Sequence, residues 1–352
     1  MSKLNDLTHI ETLDKSGMDH KIIHMPENIY ITYTEPVIHN PTSFAKSDLS
    51  KIKNIVIFGM GGSAISADIA QSLFQSKIPI SVVKDYHLPY IDESTLCIAL
   101  SYSGNTEETV TCLQKALKST SYIAAVTSGG KVKEIVDTKF LWLEIPSGLP
   151  PRSAIGHLFF ALIKILEIFE IIHSHSEEAK SVTANLMQKA GSLCLKTETN
   201  YNLAKSSAET IFNKIPIIYS SNPRLNPIAY RWKCQINENA KYPAFSHTFP
   251  EMNHNEIEAW ENSNLSKNFI PIFLRFFEEE KQYSKRIEAF KKLLDKDNIT
   301  YLEFYGDGNN DFSRMFSLIY LGDMISYYIG ILNNIDPTEI KYIDFLKNEI
   351  SK

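Results

Sequence analysis

The chain lacks the residues that several function classes require. Its 352 residues include four cysteines, Cys97, Cys112, Cys194 and Cys234, and no two of them form a CxxC pair. A structural zinc site built on cysteine pairs therefore has no support. Positive charge is not in excess: 36 Lys and Arg stand against 41 Asp and Glu, a net charge of −5. Such a balance argues against a nucleic-acid-binding surface, although it leaves room for a local pocket that takes a small anion. The opening MSKLNDLTHIETLDKSGMDHK has no apolar core of the signal-peptide kind. One apolar stretch, AIGHLFFALIKILEIFEIIHS at 154–174, has the length of a membrane span, but His157, Lys164, Glu167 and Glu170 interrupt it. Charges at those depths predict a buried helix between domains, not a span. The reading that results is a cytoplasmic protein with reduced thiols, no membrane segment and no nucleic-acid partner.

With 43% hydrophobic and 22% charged residues, the chain has the composition of a globular protein long enough for two domains. NIVIFGMGG (54–62) is a β-branched run that ends in glycines, the pattern of a buried strand followed by a tight turn. SAISADIAQSLF follows with helical spacing, and IPISVVKD, TLCIALSYSG, YIAAVTSGG and KFLWLEIPS read as further strands. Strands that alternate with helices predict a mainly parallel sheet covered on both faces. The second half repeats this order of elements without repeating the sequence. It has strands at 215–220, in NFIPIFLRF and in ITYLEFYG, and helices in IAYRWKCQINENAK, YSKRIEAFKKLLDKD and DFSRMFSLIYLGDMISYYIGILNNI. The predicted organisation is an N-terminal extension over 1–50, read as a helix and a loop, then α/β domains over 51–175 and 176–352.

Two turns carry chemistry. GMGGSA (59–64) joins a strand to a helix, where backbone N–H groups and the helix dipole can hold an anion. Its spacing, Gly59-x-Gly61-x-x-Ala64, also fits the looser dinucleotide fingerprint, and Asp85 lies where a ribose-binding acid would be expected. A plain tight turn is the third reading. SYSGNTEETV (101–110) follows a later strand and places Ser101, Ser103 and Thr106 within six residues. A dinucleotide site does not require this second hydroxyl-rich turn, whereas a phosphate monoester benefits from it. In a parallel sheet both turns leave the same carboxyl edge, so Gly61, Gly62 and Ser63 can join Ser101, Ser103 and Thr106 around one phosphate. Thr106 also stands at a helix start, where the simpler role is an N-cap.

These two motifs resemble the phosphate loops of sugar isomerase (SIS) domains, a group that contains both enzymes and non-catalytic sugar-phosphate-binding regulators. Three later segments narrow the resemblance: LPPRSAIGH with Arg152, YRWKCQINENAKYPAF with Glu238, and FPEMNHNEIEAW with His254. From about residue 50 onward the chain resembles the bifunctional phosphoglucose/phosphomannose isomerase family, within the phosphoglucose isomerase superfamily. The resemblance implies two SIS-type domains and interconversion of glucose 6-phosphate and fructose 6-phosphate, with mannose 6-phosphate as a possible further substrate. It also implies that no metal or cofactor takes part. It assigns proton transfer to Glu238, ring opening to His254 from the partner subunit of a homodimer, and enediolate stabilisation to Arg152.

These residue types suit the reaction. Moving a proton between C1 and C2 of an open sugar needs a carboxylate within reach of both carbons. Ring opening needs a proton carrier, and the developing enediolate needs a cation. The family also uses a lysine near its C-terminus. Lys347 fits best and Lys341 is the alternative; six residues apart on one helix, they would lie about 240° apart around its axis. Each residue also has a simpler role: a solvated or paired Glu238, a hydrogen-bonded His254, a structural ion pair at Arg152. His254 and Glu258 share a helical spacing that could suggest a metal, but no third ligand stands out. The chain departs from the family in Ala67, where a glycine is expected, and in its extended N-terminus. Near the C-terminal lysine, Thr338 and Ile340 compete for the position of a threonine tied to mannose 6-phosphate use.

Overall fold

The computed structural model describes residues 2–42, 48–74, 78–261 and 263–350. They form two compact units. One holds residues 24–184 and 310–312, the other residues 1–23, 185–309 and 313–352.

The first unit is built on six strands: β1 (Val37–His39), β2 (Asn54–Phe58), β3 (Ile80–Val83), β4 (Thr95–Ser101), β5 (Ile123–Thr127) and β6 (Leu141–Glu144). Their order is β1-β6-β5-β4-β2-β3, parallel except for β1, which runs antiparallel to β6. All seven residues of β4 are buried, as a central parallel strand covered on both faces requires. The helices Gly61–Leu73, Glu107–Ala116 and Gly130–Val136 connect consecutive strands. Chain order reverses between β2 and β4, so the crevice at their carboxyl ends is the topological switch point where ligands bind in such sheets.

The short β1 is held in place by its partners. The His39 ring stacks on Trp142 with centroids 4.1 Å apart, and its Nε2 lies 2.8 Å from Glu144 Oε2. The apolar stretch after residue 154 forms the helix Ile155–Ile168, packed against the helices Met25–Thr34 and Gly61–Leu73 and against the sheet. It is a core helix of this unit. Two of the charges that interrupt it pair locally: Lys164 Nζ lies 3.0 Å from Glu167 Oε2, and Tyr33 donates to Glu167 Oε1 at 2.6 Å.

The second unit carries β7 (Ile215–Ser220), β8 (Phe245–Thr248), β9 (Phe269–Arg275) and β10 (Leu302–Tyr305), all parallel, in the order β10-β9-β7-β8. Tyr219, Phe249, Trp260, Phe273 and Phe290 form an aromatic core on one face. β8 has no sequence signature, since Phe245–Thr248 is short, mixed and only partly buried. Helix Asn226–Ala240 links β7 to β8 and Lys281–Lys296 links β9 to β10. Residues 1–23 belong to this unit: Tyr320 Oη donates to Ile23 O at 3.1 Å, and Thr199 Oγ1 donates to Asn5 Oδ1 at 3.0 Å. Among the described residues one helix, Asp311–Leu332, is long and apolar enough to cross a membrane, and its apolar window is wholly buried in the protein.

Candidate active site

The hydroxyl-rich loops meet at the switch point of the first sheet. β2 runs into helix Gly61–Leu73, whose N-cap, Met60, makes no side-chain capping bond. Gly61, with φ 51°, is exposed at the helix start and Gly62 is half-buried. Ser63 is buried, and its Oγ accepts the Tyr102 N–H at 3.3 Å. In the second loop Ser101 Oγ donates to Thr106 Oγ1 at 3.1 Å and accepts the Gly104 N–H at 3.1 Å. Ser103 is exposed and accepts the Asn105 N–H at 3.3 Å. Gly104 is required here, because a Cβ would lie 1.7 Å from Gly129 O in the loop after β5. Thr106 is the N-cap of Glu107–Ala116 by position, yet its side chain makes no capping bond. The simpler role of that threonine is thus not realised. Two helix starts without a side-chain cap point donor N–H groups toward this crevice.

The turn that carries Arg152 lies beside the first loop. A Cβ on Gly62 would lie 3.2 Å from Pro151 O and 3.5 Å from Arg152 Cα, so the 3-10 turn Pro151–Ser153 lies against the first loop. Arg152 is 4% exposed. Tyr102 secures the segment that leads to it, donating from Oη to Pro146 O at 2.9 Å and accepting the Leu149 N–H at 2.8 Å. Sequence reasoning passed over Tyr102. It lies inside the quoted motif, but nothing local links it to a residue 47 positions away. Asp85, the residue of the dinucleotide reading, is exposed, and its carboxyl is held below the usual range by hydrogen bonds from His87 and the Tyr86 N–H.

Glu238 belongs to the second unit, half-buried on helix Asn226–Ala240. The helix is fixed from behind by buried polar contacts to Asp311–Leu332. Arg231 Nη2 lies 2.6 Å from Asp323 Oδ2, Trp232 Nε1 donates to Leu318 O at 2.9 Å, and Asn239 Nδ2 donates to Ser326 Oγ at 2.9 Å. Glu238 lines a cavity of about 830 Å³ together with Lys241, Asp336, Glu339, Lys341 and Tyr342. Of the two C-terminal lysines, Lys341 lines this cavity and pairs with Glu339 at 2.7 Å. Lys347 is exposed farther along helix Lys341–Ile350. Burial pushes up the Cys234 thiol, one turn before Glu238, with the charge of Glu238 adding a smaller push.

His254 ends the 3-10 turn Glu251–His254 and is exposed, while its neighbour Met252 anchors the turn in the core. It is not among the residues that line the Glu238 cavity. His247 pairs instead with Glu256, Nδ1 to Oε2 at 2.8 Å. Among the described residues no group of three or more His, Cys, Asp or Glu could hold a metal ion.

The second sheet has its own switch point, between β7 and β9, and on the other side of β9, toward β10, carboxylates gather around one arginine. Arg275, at the end of β9, bonds Glu279, Glu288 at 2.7 Å and Glu303 at 2.5 Å. Its guanidinium is engaged by three carboxylates instead of being open to an anion.

Residues 48–150 match the SIS domain, and residues 200–350 match the bacterial phospho-glucose isomerase C-terminal SIS domain. The bifunctional phosphoglucose/phosphomannose isomerase of Caldicellulosiruptor bescii is 38% identical, over 95% of this chain and 99% of that protein. That of Thermoplasma acidophilum is 36% identical, over 85% of this chain and 90% of that protein. Among solved structures, a hypothetical protein from Thermus thermophilus superimposes with a TM-score of 0.74 at 13% identity, covering 96% of this chain and 90% of that one. With relatives this similar along nearly its whole length, and with SIS matches in both halves, the chain belongs to the bifunctional phosphoglucose/phosphomannose isomerase family.

Proposed function

We propose that the protein is an aldose–ketose isomerase that interconverts glucose 6-phosphate and fructose 6-phosphate and also accepts mannose 6-phosphate. The observation that carries this reading is that Ser63, Ser101 and Thr106 stand at two helix starts without side-chain caps, with the backbone of Arg152 against the first loop, in a chain whose relatives are named for this reaction. Backbone N–H groups of Gly61 and Gly62 and the hydroxyls of Ser63, Ser101, Ser103 and Thr106 bind the phosphate. Neutral donors at helix starts suit a dianion without a lysine.

Glu238 takes the proton from one of C1 and C2 and returns it to the other through a cis-enediol(ate). Arg152 stabilises the charge that develops on the enediolate oxygen, and its burial strengthens that interaction. His254 and a C-terminal lysine, Lys347 or Lys341, assist ring opening by moving protons at the ring oxygen and O1. On this reading His254 is delivered by the partner subunit of a homodimer. The first unit holds the phosphate-binding SIS domain and the second the domain with Glu238. The enzyme works in the cytoplasm without metal or cofactor.

Coupled assays of fructose 6-phosphate conversion test the reading. Glu238→Gln should retain sugar-phosphate binding while kcat falls by about 10²–10⁴-fold, the usual contribution of a general base. Wild-type kcat in that variant would remove Glu238 from the role.

A further inference from the structure

The helix that carries Glu238 ends at Lys241 with φ 51° and ψ 42°. This left-handed position usually takes glycine or asparagine, because the Cβ of other residues crowds the backbone. A lysine there sits under conformational strain, and its side chain has a definite task. The Lys241 Nζ donates to Asp336 O at 2.8 Å and reaches Pro337 O at 3.4 Å. An ammonium has three donors, so one group can gather two carbonyls. Those carbonyls open the stretch 336–343, which supplies Asp336, Glu339, Lys341 and Tyr342 to the cavity that also holds Glu238. Beyond it, helix Lys341–Ile350 has no buried residue and contributes little anchorage of its own. Asn333 Nδ2 donates to Ala240 O at 3.1 Å and fixes the chain just before this wall.

We propose that Lys241 is a positioning residue for the isomerisation. Its ammonium holds the 336–343 wall, Lys341 included, at the separation from Glu238 that turnover requires. The inference rests on the reading of Glu238 as the base. It adds a reason why a strained lysine follows the Glu238 helix.

Three variants of the full chain test it: Lys241→Gly, Lys241→Met and Lys241→Arg. Lys241→Gly removes the ammonium and the strain together, so it should be more stable than Lys241→Met, which removes only the ammonium. Both should lose kcat by about 10- to 100-fold, the scale of misplacing a group by about 1 Å. In both, amide hydrogen exchange should accelerate across 336–343. Lys241→Arg keeps a cation and should restore slow exchange and most of kcat. A similar loss of turnover in the glycine and methionine variants, which differ in stability, separates that loss from unfolding. Wild-type kcat in Lys241→Gly, or unchanged exchange across 336–343, overturns the proposal. A wild type with no isomerase activity removes the Glu238 reading and this role with it, whereas fast exchange in Lys241→Gly with intact kcat removes the positioning role alone.

Discussion

The Ser63 hydroxyl accepts the Tyr102 N–H at 3.3 Å, so the loop after β2 is fastened to the loop after β4 through one side chain. The bond uses a lone pair of Ser63 and leaves its O–H to be donated. A hydroxyl oriented in this way needs little reorganisation to meet an anion, which is the property a phosphate site requires. Tyr102 carries the connection onward to Pro146 and Leu149, and so to the turn that holds Arg152.

Tyr102→Phe tests that connection. The change removes one hydroxyl and leaves Pro146 O and the Leu149 N–H without that partner. Stability should fall by about 1–3 kcal/mol, the cost of buried groups left unsatisfied. Arg152 should lose its fixed position, so kcat should fall more than KM rises. Chemical denaturation and steady-state kinetics read the two effects separately, and equal kcat in variant and wild type would show that Tyr102 does not position Arg152.

Thr106 gives a sharper separation of stability from binding. A threonine that capped its helix would cost about 0.5–2 kcal/mol on removal. Here the side chain makes no capping bond and instead accepts from Ser101. Thr106→Val should therefore change stability by less than about 1 kcal/mol. It should still raise KM for the sugar phosphate by about tenfold, as loss of one hydrogen bond to a charged group predicts. Thr106→Ser should stay close to wild type in both measurements. A large loss of stability with unchanged KM would restore the helix cap as its role.

These residues show what was legible before the fold was known. The phosphate loops follow a strand and start a helix, so their signal is contained in about ten consecutive residues; Ser101 donates to Thr106, and Ser63 accepts the Tyr102 N–H between the two loops. Strands β2, β4, β5 and β9 were legible for the same reason, each being a continuous apolar run. β1 and β8 were not: they are short, and they exist because of the strands beside them. The choice between Lys341 and Lys347 depends on where helix Lys341–Ile350 begins relative to the Glu238 helix, a relation between segments about a hundred residues apart. Lys241 was hidden within a motif noted for its glutamate, because a left-handed lysine has no sequence signature.

His157 makes stability depend on pH. It is 2% exposed, lies 2.5 Å from the Thr32 hydroxyl through Nδ1, and burial lowers its pKa to about 4. In the unfolded chain the imidazole titrates near 6.5. As pH falls, the unfolded state takes up the proton first, so stability is lost between about pH 6.5 and pH 4. The contribution between pH 7 and pH 4.5 is about 2 kcal/mol. Denaturation midpoints across this range should fall for the wild type and fall less for His157→Gln, even though the variant starts less stable at pH 7. Parallel curves for the two proteins would place the pH sensitivity elsewhere.

Arg275 tests how the carboxyl end of β9 is held. Its side chain is 4% exposed and Glu279 is 3% exposed, and both stand at the carboxyl edge where the first sheet gathers hydroxyls. Replacing the arginine leaves Glu279 buried without its cation, and Glu288 and Glu303 lose the same partner. Breaking a buried pair on one side costs about 3–5 kcal/mol, so Arg275→Met should be destabilised by that amount. Adding Glu279→Gln to Arg275→Met removes the stranded charge and should recover a substantial part of the loss, as a double-mutant cycle in denaturant would measure. If the double variant is no more stable than Arg275→Met, the cluster is not held by that pair. Recovery would mean that the carboxyl end of β9 is held by charges that satisfy one another.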